Sequence, residues 1–531
     1  CHQLVQESTE AKLGKTMLSR YAFSHVLFQV YLYGALPTRE RRMLHEEVAN
    51  ALEELYDGQI ETIAVQLAYH YTEARKNEKT ATYLELAGAR AFKFGEFTQA
   101  LVFFNQALSI LEVIHGKSYT STHTQLLCWI GEVYYKRGYW STAENYYRRG
   151  LEASKILKDK DPIIWSLLGL AWTLQRQRDT EQALPIAQEA LEVARQAKNR
   201  VRECEALRII GVIHGQNDQI KERLSYYEQS LEIASEINDV TQEMRCLNSL
   251  GHLYGSVFGD YVKSVTYRNR ALETAIHYNC LYEQIMYKSN LYAGYRRLGN
   301  YEKASDCAES HLKLRDKIGD IPGRCKYYEE SGILDIKHAN FSKAIKNLEK
   351  SVEIADEYEC VPTQVDSRAW LIIVHLLENR VEAALAVSKS LKPLLVKYKV
   401  NNQVFSEALL EAIICLRMRN IDQARSLLEH VKENAIQELR TQRWAYRYHR
   451  AFAQAGLALL SPLEFHLDYL TPAIEYFQDA VNTCSWAGIL DDTLLILREM
   501  RKADPDNLLK PIEDDLVKKR EIAWNNRPFS D

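Results

Sequence analysis

The sequence predicts an all-α solenoid, a right-handed superhelix of stacked helix pairs, and three observations carry that prediction. Gly131, Ala171, Gly211, Gly251, Tyr292, Gly332, Ile372 and Ala412 share one register, each 40 or 41 residues after the last. A regular period of this size means stacked helical units. Residues suited to left-handed turns recur with the same period, at Gly95, Gly138, Asp218, Gly299 and Asn379 within pairs and at Asn199, Asn238, Asn279 and Gly319 between them. Finally, 531 residues with 46% hydrophobic content and 11 prolines exceed one compact core, yet no Pro/Gly/Ser-rich linker divides the chain.

Each residue type has a packing reason. Small residues at the first register position let the first helix approach its partner closely, and Ala100, Ala143, Ala183, Ala304, Ala344 and Ala424 do the same on the second helix. Aromatic residues such as Tyr134, Tyr147, Phe97 and Phe104 fill the gaps beside them. Before the regular array, Pro37 and Thr38 start an amphipathic helix after the β-prone stretch Tyr21–Tyr31, and Ala64–Tyr71 opens a further helical pair. Past Asn420 the pattern loosens. Extra residues between Arg443 and Pro472 imply an elongated repeat or a loop intruding on the groove, before Ala473, Phe477 and Ala480 resume the second-helix register. These features divide the chain into 1–76 (arm end and helical cap), 77–440 (regular array), 441–506 (irregular repeats) and 507–531 (charged capping helix and a fraying tail).

The offsets Ile130-Gly131-x-x-Tyr134, Gly138, Ala143, Tyr147, Gly150, repeated around Gly88 and Tyr292, resemble the tetratricopeptide repeat. The step of 40 exceeds that family's unit of roughly 34 residues, which lengthens each helix by about 4–5 Å and deepens the walls of the groove. Over residues 18–115 the chain also resembles the segment that joins the ATPase core to the repeats in STAND-type signalling NTPases, including those of soluble-type class III adenylyl cyclases and large bacterial transcriptional activators. Phe23, His25 and Leu27, then Arg41 or Arg42, Leu44 and His45, are the counterparts of its two phrases. The resemblance implies a winged-helix-like arm end, an upstream NTPase domain on the same chain, and repeats that hold that domain in check until a ligand binds. The start at Cys1 and not at Met fits a piece of such a protein.

Catalytic signatures are absent. Gly116-Lys117-Ser118 lacks the earlier glycine a phosphate loop needs, that position being Leu111, and no preceding strand is indicated. No G-x-S-x-G, G-x-G-x-x-G, H-E-x-x-H or C-x-x-C pattern occurs, so neither cofactor nor metal is expected, and Cys128, Cys246 and Cys415 read as core thiols. A net charge of -4 gives no general attraction to nucleic acid or anionic membrane. The longest apolar stretch, near Ala369–Leu377, is too short to span a bilayer, and no secretory signal opens the chain, so a cytoplasmic setting is expected.

Function therefore falls to the face lined by the first helix of each pair. Register arithmetic nominates Glu132, Tyr135, Lys136, Trp172, Gln175, Arg176, Arg208, Gln216, Asn248, His252, Arg296 and Arg297 as a polar groove for a protein or peptide ligand. Two roles follow: a non-catalytic sensor that regulates the upstream NTPase, or a constitutive scaffold that holds a partner without switching.

Overall fold

The computed structural model describes residues 5–13, 16–116, 118–177, 179–217, 219–398, 406–439 and 443–529; Cys1, Lys117 and Asp218, singled out above, lie outside them. The chain forms two compact units, residues 1–202 and 203–531.

The first unit opens with β1 (Val5–Leu13) and β2 (Thr16–Phe23), an antiparallel pair in which Val5 faces Phe23 and Leu13 faces Thr16. The all-α architecture thus carries one short β-hairpin, and the β-prone stretch ends in it: from Val26 the chain is already helical. Then come α1 (Val26–Ala35), α2 (Thr38–Leu55), α3 (Ala64–Glu73), α4 (Asn77–Lys93), α5 (Phe97–His115), α6 (Ser121–Lys136), α7 (Trp140–Leu157), α8 (Lys160–Arg176) and α9 (Thr180–Gln196). Helix α1 buries none of its residues, whereas Ala49 of α2 packs with Leu67 and Tyr71 of α3.

From α4 onward the pairs with glycine at the register position close in the same way. A large side chain of the second helix stands on the small register residue of the first: a Cβ on Gly88 would lie 2.4 Å from the Phe104 ring, and one on Gly131 3.0 Å from the Tyr147 ring. A side chain on Gly88 would have to displace the Phe104 ring. Helix α5 is long and apolar enough to cross a membrane, which corrects the sequence estimate of the longest apolar stretch. In the structure its Ala100, Phe104, Ala107 and Leu111 are buried against α4 and α6.

The second unit continues through α10 (Arg200–Gln216), α11 (Ile220–Glu236), α12 (Val240–Ser256), α13 (Tyr261–His277), α14 (Leu281–Leu298), α15 (Tyr301–Ile318), α16 (Arg324–Lys337), α17 (Phe341–Glu357), α18 (Val361–Leu377), α19 (Val381–Tyr398), α20 (Glu407–Arg417), α21 (Ile421–Glu438), α22 (Ala445–Leu459), α23 (His466–Thr483), α24 (Ala487–Arg501) and α25 (Lys510–Asn525). Gly211 and Gly332 receive Tyr227 and Leu348 as Gly131 receives Tyr147. The turns follow the sequence reading at Gly95, Gly138, Asn238, Asn279, Gly299, Gly319 and Asn379, all of positive φ. One differs. Lys198, not Asn199, takes the left-handed position, because the Asn199 side chain caps α10 by accepting from the Arg202 amide at 3.1 Å. The irregular stretch after Arg443 is an elongated pair, α22 and α23, in which Ala473, Phe477 and Ala480 are buried as expected.

Candidate functional site

Successive first helices line one face of each unit. In the first unit, Glu132, Tyr135 and Lys136 lie on α6 and Trp172, Gln175 and Arg176 on α8. The Tyr147 hydroxyl donates to Glu132 Oε2 at 2.8 Å, Lys136 stands 3.9 Å from Glu132, and Arg176 Nε donates to the Tyr135 hydroxyl at 3.3 Å. Gln175 is buried and the others are partly or fully exposed. The register rule thus gathers these six on two neighbouring helices.

In the second unit, Arg208 and Gln216 are half-buried on α10. Asn248 on α12 accepts from Asn290 Nδ2 on α14 at 3.1 Å, and His252 Nδ1 accepts from Arg223 at 3.0 Å. Arg296 and Arg297 stand elsewhere than the sequence reading put them. They are not on an open wall; they are 4% and 8% exposed, covered by α24.

That helix is the feature register arithmetic could not find. It packs on α14, α18, α20 and α22, all first helices, and through Lys337 it also meets α16. Its fit is both steric and electrostatic. A Cβ on Gly488 would fall 1.8 Å from the Arg296 carbonyl oxygen, so only glycine lets α24 start this close to α14. Four residues on, the Asp492 carboxylate accepts from Arg296 at 2.8 Å, Arg297 at 3.3 Å and the Lys337 ammonium. Glu499 pairs with Arg417 at 2.5 Å and Lys502 at 2.6 Å. Asp491 is bonded to Tyr301 and to Arg520 of α25, and the Phe529 carbonyl accepts from Asn300 and Lys303.

Three cations thus meet one buried carboxylate. Burial alone would raise the Asp492 carboxyl, but Arg296, Lys337 and Arg297 outweigh it and hold it well below the usual carboxylate range. Burial pulls Lys337 and Arg297 down, the latter helped by its like-charged neighbour Arg296. On Arg296 the attraction of Asp492 overcomes burial and the net movement is upward.

Beside this seam, α12, α13, α14 and the start of α22 line a partly open cavity of about 220 Å³. Trp444 closes one side, its Nε1 donating to the Gly255 carbonyl at 3.3 Å and its ring facing Tyr261 edge-on at 6.3 Å. The Arg297 guanidinium lies over that indole, 5.5 Å from its centre. Among the described residues no cluster of His, Cys, Asp and Glu could hold a metal. Cys128, Cys204, Cys246, Cys325, Cys415 and Cys484 are buried free thiols.

Residues 122–196 match the tetratricopeptide repeat family. No curated protein shows significant similarity to the chain. Among solved structures, a Rap protein complexed with competence and sporulation factor is similar at 16% identity and a TM-score of 0.49, covering 68% of this chain and 99% of its own. A STAND protein with a tetratricopeptide repeat sensor from Pyrococcus horikoshii is similar at 17% identity and 0.48, covering 71% of this chain and 56% of its own.

Sequence reasoning missed Arg268, Trp444, Asp492 and Glu499. A signal was present for one of them: Asp492 stands inside the apolar run Gly488–Leu497, where a buried carboxylate demands a cation.

Proposed function

We propose that this chain is a ligand-sensing, protein-binding module that acts in the cytoplasm, carries out no chemistry itself, and regulates an NTPase or effector domain of the same polypeptide. The observation that supports the reading is α24 seated across the first helices of the second unit. A groove of this kind takes up an amphipathic helix, and here the chain supplies one, held by two buried acids. A sensor needs a discrete element with two arrangements that a ligand can bias. Helix α24 qualifies, because docked it satisfies Arg296, Arg297, Lys337 and Arg417, and released it leaves four cations for a protein or peptide partner.

The second reading is a permanent scaffold. The low exposure of Asp492 and Glu499, each 2%, favours it, since charges so enclosed resist release. Native-state hydrogen exchange across the whole chain separates the two. A sensor lets the amides of α24 exchange through an opening of lower free energy than those of α18. Exchange of α24 only together with α18, at every denaturant concentration, refutes the switch and leaves the scaffold.

A further inference from the structure

The cavity between α12, α13, α14 and α22 has an unusual wall. At the place where the second helix meets the register residue, the pairs built on Gly88, Gly131, Gly211 and Gly332 use Phe104, Tyr147, Tyr227 and Leu348; against Gly251 the side chain is Arg268, its Cγ 2.9 Å from where a Cβ would be. An apolar packing position has become a charge. Arg268 is 6% exposed and donates from one terminal nitrogen to the Asn290 carbonyl at 3.0 Å, while its Nε is buried with no acceptor. Among the described residues no carboxylate pairs with it. Burial pulls it down to about 10, so it remains cationic at neutral pH. Two further arginines line the same space, Arg443 and Arg297, the latter also bonded to Asp492 at the seam; no Asp or Glu lines the cavity. The remaining walls include the rings of Tyr261, Trp444 and Tyr446.

A buried guanidinium without an anion is costly and gains most from meeting one. The volume is large enough for a ring together with an acid group, since an apolar cavity of about 150 Å³ already holds benzene. We propose that this cavity binds a small organic anion, a carboxylate or phosphate carried on a flat ring, with Arg268, Arg297 and Arg443 meeting the acid and Trp444, Tyr261 and Tyr446 packing on the ring. This deepens the sensor reading, because Arg297 and Trp444 join the site to the seam beneath α24, but the binding itself stands without that reading.

Fluorine NMR with para-fluorobenzoate and para-fluorophenyl phosphate tests the proposal and distinguishes the two acid groups, with para-fluorobenzyl alcohol as the neutral counterpart. Saturable binding of at least one acid to a single site, absent for the alcohol, is expected. Arg268→Leu, a change that restores the side chain used at Leu348, weakens it by at least about tenfold. Arg443→Gln, at the start of α22, does likewise and decides the matter where the first variant fails to fold. The proposal is overturned by the absence of acid binding up to about 10 mM, by equal binding of the alcohol, or by unchanged affinity in both variants. Exchange of α24 measured with the bound acid then reads the sensor separately: binding with unaltered α24 protection removes the switch and keeps the site.

Discussion

Replacing Asp492 by Asn tests how α24 is held. The carboxylate is 2% exposed and is the shared partner of three cations, of which Arg296 and Arg297 cannot lose their protons at neutral pH. Removing one partner of a buried ion cluster costs about 3–5 kcal/mol. Lys337 moderates this, since burial already pulls it down and makes it the readiest of the three cations to give up its charge. The lower half of the range therefore applies, and at about 1.4 kcal/mol per decade the α24 amides exchange roughly a hundredfold to a thousandfold faster. Hydrogen exchange with mass spectrometry on residues 487–501 reads this directly. Asp491→Asn serves as the control: its partner Arg520 is a third exposed, so the loss is about 1 kcal/mol or less. Acidification acts in the same direction. A carboxyl held below its unfolded value stabilises at neutral pH, and the contribution is lost as pH falls below the ordinary carboxylate range. The reasoning is refuted by α24 protection within threefold of wild type in Asp492→Asn, or by equal effects of the two variants.

Other predictions follow from the first unit. Burial pushes the Glu85 carboxyl up to about 7, against a Trp129 hydrogen bond that lowers it, so the folded chain keeps a proton that the unfolded chain has lost. Stability therefore declines as pH rises from about 4.5 to about 7 and stays reduced above; Glu85→Gln removes that slope and stabilises at pH 8 by up to about 3 kcal/mol, and identical pH profiles in urea unfolding would falsify this. Gly88→Ala places a methyl 2.4 Å from the Phe104 ring and lowers stability by about 1–3 kcal/mol. Gly34→Ala, with no heavy atom within 4 Å, is neutral or favourable by up to about 1 kcal/mol, and a matching loss in thermal melting for both would contradict the packing account.

The helix pairs were legible because their determinants are local. Gly131 and Tyr147 lie within one pair, and a period of 40 repeats that relation along the chain. The placement of α24 was not legible, since Arg296 and Asp492 are 196 residues apart and no periodicity spans that distance. Assigning Arg296 and Arg297 to an open wall followed correctly from their register; what changed their surroundings was a distant segment with matching charge. The hairpin of β1 and β2 escaped for a different reason. Its first strand, Val-Gln-Glu-Ser-Thr-Glu-Ala-Lys-Leu, carries no strict apolar alternation. In the cavity, counting along the sequence from Gly251 puts the aromatic register on Tyr267, but a longer turn before α13 hands the packing position to Arg268, and a pattern keyed to hydrophobic residues passes over it.

Helix α24 also acts as a ruler. Its two acids, Asp492 and Glu499, stand about 10 Å apart along one helix and must reach Arg296 and Lys337 on one side and Arg417 on the other. Elsewhere in a repeat array, whole units can be gained or lost, because each contacts only its neighbours. Between α14 and α20 that freedom ends: one repeat more or fewer would carry Arg417 out of reach of Glu499. The number of repeats in this stretch is therefore set by a segment that is not itself a repeat.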